Sequence, residues 1–273
     1  MYKIAIEDDF DLYKIAYSGQ CFRARVFEDG TFRFICADNV LYIKKLEDNV
    51  YNISCTAEVW KSVWFDYFDL DRDYKTIREK IVNSTKNSFI SQAIDSGVGI
   101  RILRQDKWEM LLTFIISQRK SIPAIANAIE RIASKFGVKI TNEYESLYIF
   151  PKVVDMAAVS VEELRECGIG YRAEYIKSAI DSVLDKRIIL EEIDVLSDED
   201  LIEKLKGLRG VGEKVASCIV LFAYGRANVV PIDVWIKRAI EEEFEGVNVF
   251  AKHEGSAGIL QQYIFYYQKN RHY

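Results

Sequence analysis

The spacing of apolar residues changes once along this chain, and that change limits the folds open to it. From about Tyr2 to Ala57, short β-rich pieces alternate in character: "CFRARVF", "TFRFICA", "VLYIKKL" and "VYNISCT". Turn clusters of Asp, Asn and Gly separate them, so period two predicts an antiparallel sheet. Beyond Tyr74 the period is helical. Trp108, Leu111, Leu112 and Ile115 recur on one face, as do Ile122, Ile125, Ile129, Ile132 and Phe136, with Gly137 as the stop. Ser160 with Glu163, and Ser197 with Asp200, read as capping boxes at helix starts. "YRAEYIKSAIDSVLDK" reads as a further helix, opening directly after the Gly168-Ile169-Gly170 turn. The expected class is α+β. An N-terminal antiparallel sheet domain spans 1–98, and a mainly α-helical region spans 99–273, with a helix-hairpin-helix at 197–225.

At 273 residues and 49% apolar, with three prolines, the chain can bury a core and is not a disordered sequence. Its longest apolar run, around Cys218 to Tyr224, is too short to span a bilayer, and "MYKIAIEDDFDLYK" is acidic where a signal peptide is basic. An intracellular, non-membrane protein is expected. Cys21, Cys36, Cys55, Cys167 and Cys218 are odd in number and widely spread, which fits neither a disulfide framework nor a C-x-x-C metal site. The formal charge of -5 argues mildly against a nucleic-acid partner. Locally the balance reverses, since 201–240 carries seven Lys or Arg against three acids.

That basic segment contains "LRGVGEKVASC", Leu208 to Cys218. Gly210 and Gly212 sit in a tight turn between two helices, and outward-facing amides at the second helix start form a small anion cradle. A DNA phosphate fits such a cradle, and contacts of this kind fix position without reading sequence. By itself the turn serves equally well as a plain connector between packed helices. Lys214 lies in the first turn, where the helix dipole and partial desolvation both favour the neutral, nucleophilic amine. Cys218 lies one turn on along nearly the same face. In "VVPIDVW", Asp233 is placed to N-cap the next helix. It follows Lys214 by 19 residues, and a carboxylate near a breaking sugar–base bond stabilises oxocarbenium character.

"GLRGVGEKVASCIVLFAYGRANVVPIDVW" resembles the helix-hairpin-helix base-excision DNA glycosylases, and within them the 8-oxoguanine DNA glycosylases. "SGQCFR" (18–23), "ILRQDKWEMLLTFIIS" (102–117), "GIGYRAEYI" (168–176) and "AGILQQYIF" (257–265) match the same family in order. The resemblance implies that Lys214 is a Schiff-base nucleophile and Asp233 the catalytic carboxylate. It places the extruded base between Cys218 and Phe265, with Gln261 on its Watson–Crick edge. The Gly19 carbonyl then accepts the N7 hydrogen of the oxidised base, where guanine presents a repelling lone pair. Gly210, Gly212, Arg119, Tyr171, Arg172 and Trp235 are the implied DNA contacts. No metal or organic cofactor is implied, and the partner is damaged double-stranded DNA bound by a monomer.

Departures are specific. Arg119 and Lys120 replace asparagines that fill the gap left by the extruded base, and Ala124 replaces an arginine that reads the opposite cytosine. Arg172 stands at the second such arginine and Tyr171 at the wedge tyrosine, while Trp235 replaces a phosphate-contacting histidine and Arg209 a hairpin proline. The expected activity is removal of 8-oxoguanine with strand cleavage through a lysine Schiff base. The alternatives are a glycosylase for other damaged purines and a non-catalytic helix-hairpin-helix DNA binder.

Overall fold

A computed structural model describes residues 2–271. In chain order it contains β1 (Tyr2–Ala5), α1 (Leu12–Tyr17), β2 (Arg25–Val26), β3 (Phe32–Cys36), β4 (Asn39–Glu47) and β5 (Val50–Ile53). There follow α2 (Tyr74–Ser84), α3 (Ser88–Gly97), α4 (Lys107–Ser117), α5 (Ile122–Phe136), β6 (Val138–Thr141) and β7 (Ser146–Ile149). The principal remaining helices are α6 (Arg172–Leu184), α7 (Asp198–Lys206), α8 (Glu213–Phe222), α9 (Val234–Glu243) and α10 (Ala257–Arg271).

The described residues divide into two compact units, one of 2–34, 40–104 and 225–271, the other of 35–39 and 105–224. The division is not a single cut near residue 98. After α8 the chain returns to the first unit.

The first unit holds the five-stranded sheet, ordered β1-β5-β4-β3-β2. β1 pairs antiparallel with β5, Tyr2 opposite Ile53, and β4 pairs with β5 across an irregularity between Lys45 and Glu47. The "CFRARVF" stretch supplies only Arg25–Val26 as strand. Cys21, Phe22 and Arg23 are buried in succession, which an alternating half-exposed strand does not allow, and the Arg23 carbonyl accepts from Arg33 Nη2 at 2.8 Å. Aromatic rings fill the interior: Phe68 lies edge-on to Phe34 at 5.1 Å and to Tyr67 at 5.0 Å. Arg101 is fully buried and staples the loops together, donating to the Asp8 carboxylate and to carbonyls of Asp9, Phe68, Asp69 and Arg72. α10 packs on α3 through Gly97, where a Cβ would lie 2.4 Å from the Tyr263 ring.

The second unit is built around α4. Asp106 caps it, accepting from the Glu109 amide at 2.7 Å, and all residues from Glu109 to Ile116 are buried. Ser160 and Glu163 form the expected capping box, and Ser197 accepts from the Asp200 amide at 3.1 Å. A small antiparallel hairpin, β6 with β7, interrupts the helices, with Val138 opposite Ile149. Its turn is held by the Asn142 side chain, which accepts from the amides of Tyr144 and Glu145. No helix among the described residues is long and apolar enough to cross a membrane.

Candidate active site

The second unit carries the helix-hairpin-helix and two loops bonded to it. α7 is followed by its C-cap, Gly207, and α8 is preceded by its N-cap, Gly212. Gly210 has φ +84, and a Cβ on it would sit 2.3 Å from the Tyr175 ring, so conformation and space both require glycine there. Gly212 differs. Its φ is -97, and an added Cβ would meet nothing within 4 Å, so its face is open. No side chain caps α8, which leaves its first amides available to an anion.

Every residue of α8 from Val215 to Phe222 is buried, including Cys218. Lys214 is only half-buried, and its ammonium lies 5.8 Å from the centroid of Phe114, a ring stacked on Phe222. α8 thus delivers one amine from the edge of an apolar wall.

The loop after α4 is tied to this hairpin. Gln118 Nε2 donates to the Gly210 carbonyl at 2.9 Å and to that of Ile115 at 3.0 Å. Lys120 Nζ donates to the Gly168 carbonyl at 2.8 Å. Partial burial, then the guanidinium groups of Arg172 and Arg131, hold its amine below the ordinary lysine range. Between them Arg119 is exposed, with φ +52. Arg172 is buried, and its guanidinium donates to the carbonyls of Gln118 and Ile169. Tyr171 is 52% exposed, with the Arg172 guanidinium 4.5 Å from its centroid and Tyr175 edge-on at 5.8 Å. Of the two loop residues, Tyr171 is displayed to solvent and Arg172 is turned inward.

The first unit carries the other candidates. Asp233 caps α9, its Oδ1 accepting from the Trp235 amide at 3.0 Å and the Ile236 amide at 2.9 Å, as "PIDVW" implies. It is half-buried between two exposed apolar residues, Ile232 and Val234. Trp235 is half-buried, with the Arg238 guanidinium 5.3 Å from its ring.

Gly19, with φ +88, follows α1. α10 bonds the residue before it, since Gln262 Nε2 donates to the Ser18 carbonyl at 2.8 Å. On the same helix Gln261 is buried with no hydrogen-bond partner for Oε1, and Phe265, one turn on, is half-buried. Gln261 and Phe265 thus lie on the helix that bonds the residue before Gly19. Gln118, Arg131, Gln20 and Gln262 were not among the residues singled out from sequence. The available signal was adjacency, for Gln20 and Gln262 each follow a residue that was singled out. Among the described residues, no group of three or more His, Cys, Asp or Glu is placed to hold a metal.

Residues 112–246, which include the helix-hairpin-helix, match the HhH-GPD superfamily of base excision DNA repair proteins. Residues 3–111 match the 8-oxoguanine DNA glycosylase N-terminal domain. The solved structure of MBOgg1 with a low-affinity DNA ligand superposes with a TM-score of 0.93 at 37% identity, covering 99% of this chain and 96% of that one. The 8-oxoguanine glycosylase/lyase of Clostridium acetobutylicum, bound to duplex DNA with cytosine opposite 8-oxoG, gives 0.90 at 32% identity, covering 100% and 99%. A probable N-glycosylase/DNA lyase of Methanothermobacter thermautotrophicus is 28% identical over 94% of this chain and 93% of its own. The chain belongs to the 8-oxoguanine DNA glycosylase family.

Proposed function

We propose that the protein excises 8-oxoguanine from duplex DNA and cleaves the strand at the resulting site. The observation that carries this reading is Lys214, a half-buried amine in the first turn of a helix whose start has no side-chain cap and which is buried from Val215 to Phe222. A lysine nucleophile needs such an apolar, dipole-positive setting. In the proposed sequence the neutral Nζ attacks C1′ of the lesion nucleotide, and the C1′–N9 bond breaks with its electron pair leaving on the purine. Asp233 stabilises the positive charge that develops on the sugar. Opening of the sugar ring gives the Schiff base, which acidifies C2′ and permits elimination of the 3′-phosphate.

By the family resemblance the proposed base contacts are Cys218, Phe265, Gln261 as the edge reader and the Gly19 carbonyl as the acceptor for N7–H. The unpartnered carboxamide oxygen of Gln261 supports this, because it is a buried acceptor that an N–H on the base edge would satisfy. Gly210, Gly212, Arg119, Tyr171 and Trp235 are proposed as DNA contacts. Arg172 belongs with them through its hold on Gln118. The protein acts as an intracellular monomer.

Borohydride trapping on an 8-oxoguanine duplex tests the mechanism. Wild-type protein is expected to form a covalent adduct, and Lys214→Gln to form none while still binding the duplex. An adduct that persists in Lys214→Gln overturns the assignment. A panel of duplexes with oxidised and alkylated purines tests the substrate, which fails if 8-oxoguanine is not among the better ones.

A further inference from the structure

We propose that Gln262 is a positioning residue that fixes the direction of the Gly19 carbonyl, and thereby sets discrimination between 8-oxoguanine and guanine. This rests on the reading that Gly19 is the acceptor for N7–H. A glycine at φ +88 orients its peptide in a way few residues allow, yet glycine is also the least constrained residue in a loop. Repulsion between a carbonyl and the N7 lone pair of guanine excludes the normal base only if that carbonyl cannot turn away.

The residues flanking Gly19 are held by side chains, buried in the case of Ser18, Gln20 and Gln262 and half-buried in that of Lys269. Gln262 Nε2 donates to the Ser18 carbonyl at 2.8 Å, and Lys269 Nζ donates to that of Tyr17 at 3.1 Å. Ser18 Oγ donates to the Ile15 carbonyl at 3.0 Å and accepts from Gln20 Nε2 at 2.9 Å. Gln20 Nε2 also donates to the Arg101 carbonyl at 2.7 Å, while its Oε1 accepts from the Leu103 amide at 2.8 Å. Ser18, Gln20 and Gln262 are all 2% exposed or less. Burying two carboxamides and a hydroxyl is costly unless each is bonded, and here the bonds converge on one tetrapeptide.

The position of Gln262 adds a second consequence. It is covalently next to Gln261, and Ser18 is covalently next to Gly19. One hydrogen bond between Gln262 and Ser18 therefore fixes the separation of the two groups that read opposite edges of the base. Gln20 clamps the far side of the same glycine.

The test is equilibrium binding in a Lys214→Gln background, which removes turnover, to duplexes carrying 8-oxoguanine, guanine or 7-deazaguanine. With Gln262 present, 8-oxoguanine is expected to bind tightest, and 7-deazaguanine, which has C–H in place of the lone pair, to bind better than guanine. Gln262→Leu is expected to weaken 8-oxoguanine binding about tenfold and to bring guanine and 7-deazaguanine to about twofold of each other. Uniform weakening on all three duplexes marks a merely structural role and overturns the proposal, as does an unchanged 8-oxoguanine preference. If Gln262→Leu does not fold, Lys269→Met gives the same comparison from the neighbouring carbonyl, and unchanged ratios there overturn it equally. Absence of 8-oxoguanine preference before Gln262 is altered overturns the parent reading instead, so the two failures are distinct.

Discussion

The side-chain amide of Gln118 donates to the main-chain carbonyl of Gly210, joining the end of α4 to the hairpin across 92 residues of sequence. Arg172 holds the Gln118 carbonyl in turn, so the loop displaying Arg119 and the hairpin amides are parts of one bonded assembly. Gln118→Leu removes that link and leaves the Gly210 carbonyl to find water. Duplex affinity is expected to fall by roughly five- to tenfold, as for the loss of one buried hydrogen bond of about 1 kcal/mol. Fluorescence anisotropy at fixed salt measures it, and an affinity equal to wild type contradicts the linkage.

The two hairpin glycines should separate on mutation. Gly210→Ala forces a methyl into the Tyr175 ring at positive φ, so the protein should lose more than about 2 kcal/mol of stability. Gly212→Ala meets open space at an ordinary φ and should melt within about 2 °C of wild type. Its methyl nevertheless stands where a phosphate must approach the amides, so DNA affinity should drop at least about tenfold. Parallel melting and binding measurements decide this. Full affinity in Gly212→Ala would remove the hairpin from the DNA contacts.

Asp233 has a capping role and a proposed chemical one, and Asn distinguishes them. Asn caps a helix about as well as Asp, so Asp233→Asn should keep its melting temperature while single-turnover excision slows by about 100-fold or more. Asp233→Ala should lose both, with about 1 kcal/mol of stability gone. Equal rates for wild type and Asp233→Asn would restrict the residue to capping.

The fold was legible where the signal is local. The change of period separates sheet from helices, the Ser and Asp caps mark helix starts, and "PIDVW" places the Asp233 cap. Signals that depend on distant partners were not. Gln262 bonds a carbonyl 244 residues away and Gln20 one 81 residues away, and nothing in the flanking text distinguishes a clamp from a solvated glutamine. The resemblance gives Arg172 as a DNA contact, and nothing in the flanking residues announces that its guanidinium bonds the carbonyls of Ile169 and Gln118. The return of 225–271 to the first unit depends on α10 packing against α3, which no linear pattern records.

Burial of His253 favours its neutral ring, and Lys252 nearby adds to this, so its folded pKa lies below the ordinary value of about 6.5. Below that value the unfolded chain takes up a proton that the folded chain refuses. Stability contributed by His253 is therefore complete above about pH 6.5 and declines as pH falls toward the depressed folded pKa. Denaturant unfolding from pH 7.5 to 5 should show this decline, and His253→Gln should flatten it. An identical slope in the variant would assign the dependence to other groups.

Arg119 combines a backbone cost with an exposed charge, and the two can be removed in turn. At φ +52 a residue with a Cβ is disfavoured by about 1 kcal/mol, which glycine does not incur. Arg119→Gly should therefore fold as stably as wild type or better, while Arg119→Ala keeps the strain and melts lower than the glycine variant. If the strained conformation exists to present a guanidinium to DNA, both variants should bind duplex more weakly. Both should also reduce the slope of log affinity against log salt by about 0.9, the signature of one lost phosphate contact. A slope unchanged in both variants would mean that the guanidinium touches no phosphate. Weaker binding at an unchanged slope would then assign Arg119 to the bases rather than the backbone, because base contacts release no counterions.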